Sequence, residues 1–491
     1  MNPEFATNQI DRTQEAAGLR IAARNRSVIS LLIISTFVVI LNETIMGVAI
    51  PRLMTSLQVT AGAAQWLTAS FLLTMAVVIP VTGFLLQRLN TRPIFILAMS
   101  LFSLGTLVAA LAPGLGVLIV ARVIQASGTA IMMPLLMTTV MMLVPMAGRG
   151  KAMGNITIVI SVAPAIGPTI SGFILNYLDW RWMFILVLPI ALAALALGAR
   201  RIENVTTPRY APLDVLSVIL SAFACGGLVY GVSIVGVPAG PGSLPAWSPL
   251  AIGVVAMVAF VFRQLALQKK NDALLDLRTF SSRNFTTSVL MMALTMAALF
   301  GTLILLPIYM QNVRGLGTLQ TGLLMLPGGL LMGLLGPTVG RLYDRIGPTK
   351  LVVPGAILVS AVLWAMTTVG PATWVGNILA GHVIISVGFA LLFTPLFTAS
   401  LSSVKPELYA HGSAALASIQ QVAGAAGVAL FVALMSAQSA RLGANGQAPL
   451  DALAGGIRAG FLCGAILSVF AVACAFFVRR PAAVSGMPPG H

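Results

Sequence analysis

The chain has 491 residues, of which 58% are hydrophobic and only 8% charged. Soluble domains average about a quarter charged residues, so this composition argues against a soluble enzyme or binding module and predicts an all-α, many-spanning membrane protein. A formal net charge of +16 would fit nucleic-acid binding in a soluble chain, but here the basic residues sit in short segments between apolar runs, which is membrane topology.

Other classes are disfavoured by what the sequence lacks. The three cysteines, Cys225, Cys463 and Cys474, all fall in apolar stretches and indicate no disulfide framework. There is no Gly-rich phosphate loop and no His/Cys cluster with metal-ligand spacing, so no cofactor, ATP-driven pump or membrane enzyme is expected. The first apolar run is a full span without a small-residue cleavage site, so no cleavable signal peptide is expected.

A helix crossing the hydrocarbon core needs about 20 apolar residues. In chain order the runs predict spans at 29–50, 65–86, 93–112, 116–143, 153–176, 182–200, 213–235, 247–267, 286–310, 319–340, 350–369, 374–398, 412–437 and 458–478. Fourteen spans put both termini on one side. Of the 28 Lys and Arg residues, 22 fall in the segments of that side and 5 on the other, so both termini are expected in the cytoplasm.

The first span carries Asn42 and Glu43, and Glu43 is its only charged side chain. A carboxylate in a span costs roughly 2.5–3.5 kcal/mol on insertion scales, which marks it as functional by default. The second span ends in Gly83, Gln87, Arg88 and Arg92, and the second span of the later half ends in Gly340, Asp344, Arg345 and Gly347. Matching loops at matching places predict two six-helix halves, 29–200 and 286–478. Between them lie two additional spans within 201–285, and tails cover 1–28 and 479–491.

The fourth span holds Arg122 and Gln125. Arg122 lies about six residues from the outer end of its span and Glu43 about eight from that of its own, so at 1.5 Å per residue they share a depth. Three readings stay open: proton coupling, with Arg122 tuning Glu43, a structural pair that satisfies two buried charges, or no contact between the two. The fifth span contains Pro164, Gly167, Pro168 and Gly172. Its prolines predict a kink and its glycines a close helix approach. His382 occupies roughly the place in the twelfth span that Arg122 takes in the fourth, either as a second titrating group or as a structural hydrogen-bonder. Tyr309 and Gln311 close the first span of the later half. Met46, one turn from Asn42, is a better cavity residue than the methionines of the fourth and ninth spans, which equally suit a lipid-facing surface.

Together these motifs resemble the major facilitator superfamily, in its fourteen-span drug:proton antiporter branch, and most closely the lincomycin-resistance type. The resemblance covers nearly all of 29–480. It implies a proton-coupled efflux antiporter of the inner membrane that exports lipophilic drugs or antibiotics by alternating access. Its implied partners are protons, small lipophilic substrates and the bilayer, without nucleic acid, and its implied state is a monomer.

By that resemblance Glu43 and Arg122 couple protons, and Asn42, Met46, Gln125, Tyr309, Gln311 and His382 line the cavity. The two Gly/Arg loops clamp the cytoplasmic gate, and the fifth span is the antiporter motif. Gln87 stands where the family has an acid; a neutral amide caps backbone groups but cannot pair with an arginine. Asn42 stands where the wider branch has an aspartate, which displaces the acid by one residue. The same pattern also admits an exporter of one endogenous metabolite or antibiotic, or a non-transporting receptor or scaffold.

Overall fold

A computed structural model of the chain describes residues 3–59, 61–204, 214–233, 245, 247–270 and 272–480. Its helices are α1 (Pro3–Leu57), α2 (Ala61–Arg88), α3 (Thr91–Ala110), α4 (Leu115–Leu143), α5 (Arg149–Tyr177), α6 (Trp182–Arg201), α7 (Val215–Ser233), α8 (Ser248–Leu267), α9 (Arg283–Ile308), α10 (Thr318–Ile346), α11 (Thr349–Met366), α12 (Val375–Ser402), α13 (Tyr409–Ala444) and α14 (Pro449–Ala475). Residues 205–213 and 481–491 lie outside the described residues, as do the side chains of Arg12, Arg20 and Pro168.

Among the described residues, fourteen helices are long and apolar enough to cross a membrane. Each expected span coincides with one of them to within a few residues, except where a helix outruns its apolar stretch. The largest is α1, which starts at Pro3 rather than near 29, and a second is α14, which starts at Pro449 rather than near 458. Proline at the first position and Asp451 in the first turn suit a helix N-terminus, although hydropathy there is too low to register as a span.

The two halves repeat each other's packing. In the first, α1 packs on α5, α2 on α4, and α3 on α4 and α6; in the second, α9 packs on α13, α10 on α12, and α11 on α12 and α14. Two seams join the halves, α5 against α10 and its repeat counterpart α2 against α13. The additional helices α7 and α8 pair with each other through glycines. A Cβ on Gly227 would meet the Gly253 Cα at 2.8 Å, and one on Gly231 would meet the Leu250 backbone nitrogen at 2.5 Å. This pair lies along the second seam, where α7 contacts both α2 and α13 and Tyr230 stacks on Trp66 with ring centroids 5.8 Å apart.

Glycine also shapes the first seam. Cβ atoms at Gly150 and Gly340, or at Gly154 and Gly336, would run into the backbone of the opposite helix, so the two helices approach closely. α5 stays helical through Pro164 and Pro168. Its Gly167 lies against Thr44 of α1, whereas Gly172 has nothing within 4 Å of where a Cβ would stand. Close helix approach in this stretch is therefore confined to Gly167. The end of the bundle that carries Arg88, Lys151, Arg201, Arg345 and Lys405 is termed the basic face below.

Candidate functional site: a buried arginine cradle and the seams that close the basic face

Arg122 is 1% exposed and Gln125 is fully buried. Nη1 of Arg122 donates to Gln125 Oε1 at 2.9 Å and to Asn42 Oδ1 at 3.4 Å, and Nε donates to the Leu67 carbonyl at 3.4 Å. The guanidinium lies 4.0 Å from the centre of the Phe71 ring. Gln125, one turn along the same helix face, is itself held, because its Nε2 donates to Thr106 Oγ1 at 2.8 Å. Hydrogen bonds to a charged group contribute about 1.5–3 kcal/mol each, and a desolvated cation–π contact about 2 kcal/mol. These contacts offset much of the cost of burying the charge.

Glu43 is not part of this cradle. It is half-buried on α1, and among the described residues it makes no hydrogen bond and no ion pair within 4.0 Å. The depth match of Glu43 and Arg122 thus brings them near without joining them. One residue is 100° of helix, and that step points Asn42 rather than Glu43 at the guanidinium.

The other expected cavity residues fall in several places. Gln125 uses both ends of its amide on Arg122 and Thr106. Met46 is 2% exposed beside buried Ile45. Tyr309, 1% exposed, opens a π-helical turn (Tyr309–Val313) and donates its hydroxyl to the Gly370 carbonyl at 2.8 Å. Gln311 is half-buried in the same turn. His382 is the eighth residue of α12 as Arg122 is of α4. Its Nε2 donates to the Met325 carbonyl at 3.0 Å, while Nδ1 is buried without a partner. The His382 ring presses on Gly328, where any Cβ would collide with it at 2.6 Å.

The basic face is closed across both seams. Asp344, near the end of α10, accepts from the backbone N–H groups of Gly150 at 2.9 Å and Lys151 at 3.1 Å. These are the first-turn donors of α5, a natural seat for a carboxylate. Arg480 donates to the Asp344 backbone carbonyl at 3.0 Å. Gly347 ends α10 at φ +81°, a conformation that only glycine adopts without strain. Arg345 is exposed. In the earlier loop Gly83 lies under α13, where a Cβ would meet that of Ala414 at 3.2 Å. Arg88 lies over the Phe84 ring at 5.7 Å, and the Arg92 backbone N–H donates to Asn204.

Between the halves, Thr157 bonds Thr394 at 2.7 Å, Thr138 bonds Ser413 at 2.8 Å, and Arg149 lies 5.4 Å from the Tyr409 ring centre. Every hydrogen bond across the seams, among the described residues, falls between the basic face and mid-depth.

The family model described as Major Facilitator Superfamily matches residues 32–428. The chain belongs to the major facilitator superfamily. It is 39% identical over 458 residues, 93% of this chain and 96% of the relative, to the uncharacterized MFS-type transporter YcnB of Bacillus subtilis. It is 36% identical over 472 residues, 95% of this chain and 99% of the relative, to the lincomycin resistance protein LmrB of Listeria monocytogenes. Among solved structures it shares the fold of the human organic anion transporter MFSD10 (TETRAN), with a TM-score of 0.66 and 15% identity over 92% of this chain and 99% of that one. The protein is thus a multi-pass membrane transporter and not an enzyme.

Three members of this facilitator's polar network were not among the residues expected from sequence. Phe71 and Thr106 are ordinary apolar-span residues, and only the fold brings them to Arg122 and Gln125. His411 lies where Gln87 of α2 meets α13, and its Nε2 is 2.6 Å from Gln87 Nε2. A histidine at the start of a span, opposite a loop that has lost its acid, was the one available signal.

Proposed function

We propose that this transporter is a proton-coupled antiporter exporting lipophilic drugs or antibiotics by alternating access, with Glu43 as the proton carrier. The observation that carries the reading is the unpaired state of Glu43. The other acids inside the fourteen membrane-length helical segments, Asp344, Glu407 and Asp451, sit within a turn of a helix end, whereas Glu43 lies deep within α1. Arg122, the basic residue at its depth, is held instead by Asn42, Gln125, Leu67 and Phe71. A carboxylate in that position is free to take a proton or a substrate's cationic or hydrogen-bonding group, and competition between the two couples their movements.

The arginine-rich loops support a basic face, with both termini, in the cytoplasm of a bacterial-type inner membrane. With that face sealed, the Glu43 region loads from outside. One proton moving down a 100 mV potential yields about 2.3 kcal/mol, and no cofactor is needed. The protein works as a monomer, with its substrate between the halves. The name of the lincomycin-resistance relative supports an antibiotic-class substrate.

The test is proton release on addition of lincomycin or ethidium to purified protein, and gradient-driven transport of the same compounds in proteoliposomes, for wild type and Glu43→Gln. Retained binding with loss of proton release and uphill transport is expected. Normal proton release by Glu43→Gln would remove the carboxylate from the mechanism.

A further inference from the structure

The two seams are related by the internal repeat, yet they are locked by different chemistry. Gly83 and Gln87 of α2 correspond to Gly340 and Asp344 of α10, with the same spacing of four. The helix that each faces starts in the same register. Arg149, Gly150 and Lys151 open α5, and Tyr409, Ala410 and His411 open α13. On the α10 side, the Asp344 carboxylate seats on the backbone donors of Gly150 and Lys151. On the α2 side, Gln87 carries no charge for a helix N-terminus to hold. Its amide instead meets the imidazole of His411, at the position equivalent to Lys151.

We infer that His411 is a gate residue of the transport cycle, pairing with Gln87 to supply the α2–α13 lock that a carboxylate supplies at α5–α10. His411 is 4% exposed, so the contact is shielded from competing water. Its surroundings hold the ring in place. Leu274 and Leu275, from the segment joining α8 to α9, pack with Phe84, Ala414 and Ala415 around the same end of the seam. Ser413 bonds Thr138 of the opposite half, so both His411 and Ser413 of α13 are held across the halves. The additional helix pair, absent from a twelve-helix plan, thereby buttresses this gate through its linker.

The inference rests on the alternating-access reading but not on proton coupling, and its test separates the two. Spin labels are placed at the exposed basic-face positions Arg201 and Lys350, one on each half, with the three native cysteines replaced. Distances are read by pulsed electron resonance in proteoliposomes without substrate or gradient, so an inert Glu43 would leave them unaltered.

His411→Ala should raise the open-to-closed ratio of the basic face by roughly 3- to 10-fold, the size of one shielded neutral hydrogen bond. Gln87→Ala, a milder change on a half-buried side chain, should do the same if the histidine variant folds poorly. The double variant Gln87→Asp with His411→Ala should restore the closed population, because a carboxylate at 87 would face the first turn of α13 as Asp344 faces that of α5. A merely structural histidine would not be rescued from the opposite helix. Distances unchanged in the single variants, or a double variant as open as His411→Ala alone, would overturn the assignment.

Discussion

Replacing Asp344 by asparagine tests the clamp at the α5–α10 seam with little change of shape. The carboxylate oxygens accept from Gly150 N–H at 2.9 Å and Lys151 N–H at 3.1 Å. Asparagine keeps one acceptor and turns an NH2 toward the other donor, so one charge-assisted bond is lost and the survivor becomes neutral. Loss of a hydrogen bond to a charged group costs about 1.5–3 kcal/mol, and loss of the favourable charge at a helix N-terminus about 0.3–1 kcal/mol. Asp344 is only half-buried and lies near water, so screening favours the lower end, about 2 kcal/mol in all. Since about 1.4 kcal/mol is a factor of ten, the basic face should open about 30-fold more often.

Thr157 of α5, fully buried and bonded to Thr394 of α12 in the opposite half, reports that opening. With Thr157→Cys as the reporter in a background lacking the native cysteines, a membrane-impermeant maleimide added from the basic side should label the Asp344→Asn protein about 30-fold faster than its parent. Arg345→Ala, an exposed neighbour, should stay within about twofold, as surface changes do. Equal rates for the Asp344→Asn protein and its parent would mean that the clamp does not hold the seam closed, and the reasoning from helix-terminus chemistry would fail.

The seam glycines predict a contrast in stability. Gly340→Ala drives a methyl into the Gly150 carbonyl and should cost about 1–3 kcal/mol, seen as a lower melting midpoint in detergent. Gly172→Ala meets nothing within 4 Å and should be neutral or slightly stabilising in the same assay. Equal effects at the two positions would contradict the packing.

A pH prediction comes from Asp214, just before α7. Hydrogen bonds from Arg263, at 2.6 and 2.7 Å, and from Ser217 outweigh desolvation and hold its carboxyl down at about 2. The folded value lies below the unfolded one, so the stabilisation is complete above about pH 4 and is lost as pH falls toward 2. Melting midpoints of wild type and Asp214→Asn should therefore differ at pH 6 and converge on acidification; a constant difference would rule out Asp214 as the cause.

The sequence by itself determined the fourteen spans, the repeated Gly-and-Arg loops and the place of Glu43 as the one acid within the expected spans. Hydrophobic length and charge placement are local properties, fixed by the cost of exposing backbone or charge to lipid whatever the neighbouring helices are. It also singled out Arg122, Asp344 and Gly347, because a buried guanidinium, an acid at a helix end and a left-handed glycine each have few physical roles.

Only the tertiary structure decided partners. Depth along two helices suggested Glu43 for Arg122, but rotation about α1 assigned Asn42 instead, and a pattern of hydropathy carries almost no information about rotation within an apolar span. Gln125, expected as a cavity residue, is fully buried and bonded at both ends of its amide, because Thr106 of α3 faces it. Gln87 read as a missing acid, and the approach of α13 supplied His411, 324 residues further along the chain. Contacts of that kind arise from how helices pack across a seam, which no stretch of sequence specifies alone.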